Sequence, residues 1–418
     1  MSIGYACQTV GVLNTGQKSC IMKNASETNL LSLIDHNLGS FENIVDYNIK
    51  NDIKLFRISS DLIPFGSSLV NNICWWEIFE KQVQKISEKI RISGMRVSMH
   101  PGQYTVLNSP NIDVVTKAID DLNYHAVVLD SFKATAKSKI VLHIGGVYND
   151  KKQAIKRFIA NYRNLDSSVK NRLVLENDDK SYNIDDVLEI GTMLDVPVIF
   201  DNLHNEINSC DNQKSAFYWI DECRKTWKEN DGHQKIHYSQ QDPLKRAGSH
   251  SSSIRINEFM SFYENLGRSD IDIMLEVKDK NLSAVKCINS TTYGKKIKTL
   301  EVEWSKYKYL VLENSPLDYV EIRKLLLNKN DYPVISFYNL IEDAILKESS
   351  IGTSVNAALH IWSYFKDNAS DKEKNKFFNN IDFYNQGKIP IKTIKNILWK
   401  LAIKYQQSYL LDSYYFAY

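Results

Sequence analysis

The chain has 418 residues, of which 43% are apolar and 24% are charged, and its formal net charge is +2. This length predicts one large domain plus a smaller one, and the small net charge excludes a strongly basic nucleic-acid-binding protein, so any DNA-binding surface must be a local basic patch. The sequence has six cysteines but no C-x-x-C pair, so we expect reduced thiols. It has no apolar run of the ~18 residues needed to cross a bilayer and no signal-peptide pattern, so we expect a soluble, cytoplasmic protein.

Eight short segments rich in Val, Ile and Leu recur along the first two thirds of the chain, separated by segments long enough for amphipathic helices. Nearly continuous apolar runs are typical of parallel strands covered on both faces. Eight alternations of strand and helix predict an α/β fold, a closed (β/α)8 TIM barrel. The predicted strands are residues 3–8, 54–59, 96–100, 140–144, 172–176, 196–201, 235–239 and 272–277. The alternative, a doubly wound open sheet, would need a Gly-rich phosphate loop after the first strand, which the sequence lacks.

The ends of these strands carry most of the side chains suited to metal binding. Because the carboxyl ends of all strands meet at one face of such a barrel, we expect these side chains to converge on one pocket. Carboxylates buried together would be very costly without cations, and eight nitrogen and oxygen ligands suit two or three ions. Mixed imidazole and carboxylate ligands fit Mn²⁺, Zn²⁺ or Fe²⁺. The candidate ligands are His100, His143, Glu176, Asp201, His204, His237, His250 and Glu276.

A cluster of divalent ions suits the hydrolysis of phosphodiesters. A bound dication lowers the pKa of water from about 15.7 to about 7, and neighbouring ions stabilise the phosphate and the leaving oxygen. No side-chain nucleophile is then required.

From about Leu300 the pattern changes to successive helices, predicted at residues 304–312, 317–327, 334–346, 353–366 and 371–384, with a break at Gly387 and Pro390 before one more long helix. This predicts a smaller all-α domain at residues 300–418, joined by a linker at 286–299 to a barrel at 1–285. Trp304, His360 and neighbouring residues resemble the bacterial YbgA-like family, a helical domain of unknown function, which implies no chemistry. The tyrosine-rich end, residues 405–418, offers rings for stacking on DNA bases, but we expect them to pack the bundle core.

Several motifs of the barrel segment stand in order and at similar spacing to those of a known family. They are Gly4-Tyr5, Phe56-Arg57-Ile58, S-M-H-P-G-Q-Y at 98–104, L-H-I-G-G at 142–146, L-E-N-D at 175–178, D-N-L-H at 201–204 and the stretch 241–250. They resemble the UV damage endonucleases, relatives of endonuclease IV, over residues 1–285. The resemblance implies incision of double-stranded DNA immediately 5′ to UV photoproducts, leaving a 3′-hydroxyl and a 5′-phosphate. It also implies a cluster of three metal ions, with Mn²⁺, and no need for ATP.

The resemblance also implies individual roles for the site residues. His100, His143 and Glu176 resemble the ligands of one metal, Glu176 bridges to a second held by Asp201, His250 and Glu276, and His204 and His237 hold the third. Gln103 and Tyr104 are similar to the pair that probes the damaged bases, where a ring replaces a lost stacking partner. Tyr5 resembles a residue near the scissile phosphate, and Lys245 and Arg246 are candidate phosphate contacts.

Lys235 stands two residues before His237, so both side chains point to the same side of a strand. An ammonium about 4 Å from a unit positive charge is repelled by roughly 4 kcal/mol at an effective dielectric of 20. Beside a metal, Lys235 would therefore point away, lose its proton, or react with carbon dioxide to give a carbamate, an anionic ligand. The resemblance to enzymes with a modified lysine implies the carbamate, acting at the third metal.

Three other functions share some of these features. A related nuclease that cuts at abasic sites has the same ligands, but Gln103-Tyr104 and the stretch 241–250 resemble the UV family more closely. A metal-dependent sugar isomerase on this barrel needs fewer ligands, so the pair His204 and His237 argues against it. A non-catalytic DNA-binding module predicts missing ligands, and none is missing.

Overall fold

A computed structural model describes residues 1–417 of the chain, and Tyr418, the last residue of the predicted helical domain, lies outside the described residues. Eight parallel strands form one sheet. They are β1 (Ile3–Ala6), β2 (Leu55–Ile58), β3 (Arg96–Met99), β4 (Ile140–His143), β5 (Leu173–Glu176), β6 (Val198–Ile199), β7 (Gln234–Tyr238) and β8 (Ile271–Leu275). Their order in the sheet is β6-β5-β4-β3-β2-β1-β8-β7.

The two ends of this sheet meet, which makes it a barrel. A parallel bridge joins Asp201, just after β6, to His237 in β7, and the His237 amide donates to the carbonyl of Phe200 at 3.0 Å. Every residue of β1, β5, β7 and β8 is buried, as expected for strands covered by helices outside and by side chains inside. The predicted (β/α)8 barrel is confirmed.

Helices follow the strands along the barrel segment. They are α1 (Glu27–Lys50), α2 (Trp75–Ile78), α3 (Glu80–Ser93), α4 (Ile112–Ser131), α5 (Lys151–Arg163), α6 (Ser167–Lys170), α7 (Ile184–Leu194), α8 (Asn202–Ile207), α9 (Ala216–Arg224), α10 (Ile256–Leu266) and α11 (Asn281–Thr291). A polar side chain just before the helix caps the first turn of α1, α4, α5, α7, α8 and α9. At α7, for example, the Asn183 side chain accepts from the Asp186 amide while the Asp186 carboxylate accepts from the Asn183 amide.

Two positions show how backbone geometry shapes the barrel. Gly4 in β1 approaches β2 so closely that a Cβ there would lie 1.8 Å from the Leu55 carbonyl oxygen, which excludes any side chain. Cys7 has a positive φ of 70°, a conformation that ends extended structure, so β1 stops at Ala6 rather than continuing to residue 8 as predicted.

The contacts between Cα atoms divide the chain into two compact units. Unit 1 comprises Met1–Thr9, Asn14–Ile254 and Phe262–Val285, and unit 2 comprises Val10–Leu13, Arg255–Ser261 and Lys286–Tyr418. The predicted linker, residues 286–299, includes the end of α11 and the start of the next helix and is therefore largely helical. The predicted domain boundaries stay a prediction.

Unit 2 is dominated by helices around one apolar core. The helices are α12 (Ile297–Asn314), α13 (Pro316–Leu325), α14 (Val334–Leu346), α15 (Ile351–Trp362), α16 (Asp371–Asn385), α17 (Ile391–Lys404) and α18 (Ser408–Leu411). Gly387, with φ +68°, lies in the predicted break before α17. Trp362 stacks on Phe377 at 4.5 Å between ring centroids, and Tyr415 is fully buried, so these aromatic rings pack the core. No helix within residues 1–417 is long and apolar enough to cross a bilayer.

Candidate metal centre

The strand ends bring the predicted ligands to one face of the barrel. His143 and Glu176 are the last residues of β4 and β5, and His100 directly follows β3. Asp201 caps the N-terminus of α8, where its carboxylate accepts from the His204 amide at 2.8 Å. This cap explains the spacing of D-N-L-H, because the residue three positions after the N-cap lies beside the cap side chain.

Glu176 lies at the centre of the cluster and is 1% exposed. His237 Nδ1 lies 2.6 Å from its Oε1, and His100 Nε2 lies 3.0 Å from its Oε2. His143 Nε2 is 3.5 Å from the same Oε2, and His204 Nδ1 is 3.9 Å from Oε1. One carboxylate therefore faces four imidazoles that come from four different strand ends.

The far side of the cluster is formed by Glu276, which follows β8. Its carboxylate lies 3.4 Å from His237 Nδ1 and 3.7 Å from His250 Nε2, and it forms an ion pair with Arg57 in β2. We did not single out Arg57 as a site residue from the sequence, although it stands in one of the motifs of the resemblance. A buried cation beside the candidate ligands offsets part of the repulsion among their carboxylates.

Two groups of three side chains could each hold a metal ion within residues 1–417. His100, His143 and Glu176 form one, and Glu176, Asp201 and His237 form the other, with ligand atoms that lie within 4.8 Å of one another. Glu176 belongs to both, as a bridging carboxylate would. His237 thus groups with Glu176 and Asp201, whereas the resemblance paired it with His204, so the assignment of each ligand to an ion stays a prediction.

Within residues 1–417, three buried polar atoms of this cluster have no hydrogen-bond partner: His143 Nδ1, Asp201 Oδ2 and His237 Nε2. Leaving a buried polar atom unpaired costs about 1–3 kcal/mol, and more for a charged group, so native proteins rarely tolerate it without an ion or a water. Two of these atoms belong to side chains of the second triplet. The residues present therefore fit divalent metal ions.

The pKa values of the three carboxylates in the cluster are shifted in different directions. Burial opposes ionisation of Glu176, but His237 and His143 outweigh it and hold its pKa well below the usual range. Burial likewise opposes ionisation of Glu276, and Arg57 and His237 hold its pKa well below the usual range. In Asp201, burial raises the pKa although His204 opposes it. Because their pKa values are lowered, Glu176 and Glu276 are anionic at neutral pH and attract cations, so the electrostatics agree with the ligand chemistry.

Two of the histidines respond to the same environment in opposite ways. Burial lowers the pKa of His100 to about 4, and the hydrogen bond to Glu176 opposes this only in part. Burial also disfavours the charged form of His204, but Asp201, Glu176 and Glu276 outweigh it and raise its pKa to about 9. At neutral pH His100 is therefore ready to bind a metal, whereas His204 must first release a proton.

The structure brings Lys235 near the cluster and holds Tyr5 away from it. Lys235 in β7 is 1% exposed and forms no salt bridge with a carboxylate of residues 1–417; burial and the nearby Arg96 and Arg57 hold its pKa well below the usual range. Tyr5 is fully buried, and its hydroxyl donates to Asn48 Oδ1 in α1 at 2.7 Å. The Tyr5 hydroxyl is therefore engaged by α1 in this structure, and its role near the scissile phosphate stays a prediction.

Beside the metal ligands lies a cleft of about 680 Å³ on the same face of the barrel. Its lining includes Gln103 and Tyr104 together with the candidate ligands His143 and His204. Tyr104 is 82% exposed, which is unusual for a large ring and leaves it free to contact a ligand. The predicted recognition pair therefore shares one cleft with two of the candidate ligands.

Helix α4 holds the loop that carries this pair, through residues that we did not identify from the sequence. Thr105 Oγ1 donates to the Asp121 carboxylate at 2.6 Å, and His125 Nδ1 donates to the Asp121 carbonyl at 2.6 Å. His125 Nε2 is 2.8 Å from Ser60 Oγ, which lies 3.0 Å from the carbonyl of His100. A helix outside the barrel thus positions both a candidate ligand and the recognition loop.

Lys245 and Arg246 lie on the exposed loop between β7 and α10. Lys245 Nζ is 3.4 Å from the Asp242 carboxylate, and no ion pair of Arg246 occurs within residues 1–417. The same loop contains His250, one of the candidate ligands. Two exposed cations therefore stand close along the chain to the metal centre, where a phosphate backbone would need them.

Comparison with known proteins gives consistent matches for both parts of the chain. The family model described as UV-endonuclease UvdE matches residues 1–306, and that of a protein of unknown function, DUF1722, matches residues 308–418. A UV DNA damage endonuclease of Clostridium perfringens is 44% identical over 378 residues, covering 89% of this chain and 90% of that protein. A putative UV-damage endonuclease of Acanthamoeba polyphaga mimivirus is 32% identical and covers 68% of this chain and 89% of its own length. The crystal structure of SacUVDE matches with a TM-score of 0.66 and 37% identity, covering 69% of this chain and 97% of that one.

Proposed function

This chain belongs to the UV-endonuclease UvdE family, and from that premise we propose that it is a DNA repair endonuclease that nicks double-stranded DNA immediately 5′ to UV photoproducts, leaving a 3′-hydroxyl and a 5′-phosphate. The observation that carries the proposal is the convergence of imidazoles from several strand ends on buried Glu176, together with three unpartnered polar atoms. Such a site suits metal-assisted hydrolysis of a phosphodiester.

The proposed ligands are His100, His143, Glu176, Asp201, His204, His237, His250 and Glu276. Imidazoles and carboxylates without thiolates suit Mn²⁺, which we propose as the resident ion, with Zn²⁺ or Fe²⁺ as alternatives. Two or three such ions supply an activated water at neutral pH and stabilise the charge that develops on the phosphate. No nucleotide cofactor enters this scheme.

The chain's own residues then have separable tasks. Glu176 belongs to both ligand triplets, and in the metal-free protein its hydrogen bonds keep the imidazoles of His100 and His237 oriented toward the site. Arg57 keeps Glu276 ionised. Lys245 and Arg246 contact the phosphates that flank the cut, and the cleft beside His143 and His204 receives the damaged bases.

A nicking assay tests the proposal directly. Full-length protein with Mn²⁺ is incubated with duplexes that carry a thymine dimer, an abasic site or no lesion, and the nick is mapped. We expect a nick 5′ to the dimer that a chelator abolishes and Mn²⁺ restores. Cutting confined to the abasic duplex would instead identify an abasic-site endonuclease, and no cutting of any duplex would refute the proposal.

We expect Tyr104→Ala to reduce the preference for damaged over undamaged duplex. Stacking of an aromatic side chain on a base contributes about 1–3 kcal/mol, so the ratio of affinities should fall by roughly 5- to 150-fold. Filter binding or fluorescence anisotropy with both duplexes measures this ratio. Tyr293→Ala is the matched control, because Tyr293 is fully exposed but lies in unit 2. An equal loss of affinity for both duplexes would contradict a stacking role.

We further propose that Lys235 is carbamylated and acts at the third metal. The buried amine shares a strand face with His237 and has no carboxylate partner within residues 1–417. Burial lowers the pKa of Lys235 and so favours the neutral amine, which is the form that reacts with carbon dioxide to give an anionic carbamate. Protein equilibrated with ¹³C-bicarbonate at pH 8 should show one carbamate carbon signal by NMR. The signal should vanish in Lys235→Arg and persist in Lys139→Arg, since Lys139 is equally buried but pairs with Asp231. Wild-type protein without the signal would refute the modification.

A further inference from the structure

One of the most exposed leucines of the described chain stands in the loop that carries the candidate ligand His250. Leu244 is 93% exposed and stands in the loop between β7 and α10, directly before Lys245 and Arg246. Single exposed leucines are common on protein surfaces and need no explanation by themselves. The position of Leu244, the hydrogen bonds that hold its loop and the two cations that follow it indicate a binding role for this leucine.

The loop that carries Leu244 is closed by hydrogen bonds. The Leu244 amide donates to the Asp242 carboxylate at 3.1 Å. Gln241 accepts from the Gly248 amide at 2.8 Å and donates to the carbonyl of Arg246 at 3.1 Å, so its side chain spans the loop. A bridge from Gln241 to His250 closes the base of the loop. Leu244 is therefore presented to solvent by an ordered support.

Barrel topology places this loop opposite the recognition loop. Strands β3 and β7 are four strands apart in either direction around the barrel, and their ends meet across its centre, where the rings of His100 and His237 lie 6.2 Å apart. Tyr104 follows β3 and Leu244 follows β7. The two strongly exposed side chains of Tyr104 and Leu244 therefore lie in loops on opposite sides of the candidate metal cluster.

We propose that Leu244 is a second wedge, which inserts between neighbouring bases of a duplex bound across the barrel mouth, opposite Tyr104. Apolar side chains that enter a base step unstack it and kink the helix, and the leucine leaves water in the process. Arg246 and Lys245 provide cations for the adjacent phosphates, which matches the charge of the partner. The proposal rests on the proposed function in that it takes duplex DNA as the bound partner.

The test uses full-length protein carrying Glu176→Gln, so that the bound duplex stays intact, and duplexes with the fluorescent base 2-aminopurine at successive positions around a thymine dimer. Unstacking of the probe raises its emission. With the leucine present we expect one position with raised emission at saturation that is distinct from the position sensitive to Tyr104→Ala. Leu244→Ala should abolish that rise and weaken binding of the duplex roughly tenfold or more, because a buried leucine side chain is lost.

Two further variants separate insertion from a general surface effect. Leu244→Phe keeps an apolar wedge and should retain the raised emission. Leu327→Ala removes a leucine that is 73% exposed two residues after the end of α13, and it should change nothing. Unchanged emission and affinity in Leu244→Ala would overturn the proposal, as would failure of the protein to bind the duplex at all.

The nicking assay distinguishes this outcome from failure of the proposed function. Lesion-directed nicking by wild-type protein combined with no effect of Leu244→Ala would reject the wedge alone. If the emission depends on Leu244 but wild-type protein nicks no duplex, Leu244 is a wedge in a protein that binds duplex DNA but has a different activity.

Discussion

Glu176→Gln should reduce the rate of nicking by about 10³-fold or more while the barrel remains folded. Glu176 belongs to both ligand triplets, and its two oxygens face four imidazoles, so a neutral amide there loses the bridging charge on which both sites depend. Metal ions supply several kcal/mol of charge stabilisation in such reactions, and each 1.36 kcal/mol is tenfold in rate. Single-turnover incision of a dimer-containing duplex measures the effect.

The substitution Glu189→Gln provides the control for this prediction. Glu189→Gln makes the same chemical change at an exposed position on α7, outside the candidate site, and it should leave the rate of incision unchanged. Circular dichroism and metal analysis of both variants separate loss of chemistry from loss of fold. Incision at the wild-type rate by Glu176→Gln, with full metal content, would show that the bridge is not needed.

Binding of metal to the metal-free protein should release protons and should tighten as the pH rises. The carboxylates around His204 raise its pKa to about 9, so this imidazole carries a proton at pH 7 and must lose it to become a ligand. Below pH 9 the apparent affinity of a site that uses His204 should fall about tenfold per pH unit, or roughly 100-fold between pH 8 and pH 6. His100 adds nothing over this range, because burial holds its pKa at about 4.

Calorimetric titration with Mn²⁺ in buffers of different ionisation enthalpy counts the released protons. His204→Asn should remove most of the release and flatten the pH dependence, whereas His360→Asn, an exposed histidine of α15, should alter neither. The folding stability of the metal-free protein depends on pH in the opposite direction. Because the pKa of His204 is higher in the folded than in the unfolded state, protonated His204 stabilises the fold fully below about pH 6.5. This contribution is lost as the pH rises through about 9. Proton release that is unchanged in His204→Asn would exclude His204 as the source.

The sequence by itself determined the architecture and the chemical class of the site. Alternation of apolar runs with helical segments is a local property, and eight repeats of it permit few folds besides a barrel. Because parallel strands end on one face, a histidine or carboxylate at each strand end implies a shared pocket before any distance is known. The residue types then indicate divalent metals, since imidazoles and carboxylates without thiolates are their preferred ligands.

Only the tertiary structure decided which of these groups meet and in what state. Several contacts of the site join residues that are far apart in sequence, and no local pattern specifies such pairs. They are the contact of His100 with His237 across the barrel, the ion pair of Arg57 with Glu276, and the hydrogen bond by which α4 holds the loop of Gln103 and Tyr104. Burial sets the environment of the remaining groups. Tyr5 is buried and hydrogen-bonded to α1. Burial lowers the pKa of His100, whereas the surrounding carboxylates outweigh burial and raise the pKa of His204. These properties depend on solvent exclusion and on distances to charges in three dimensions, which the chain acquires only when it folds.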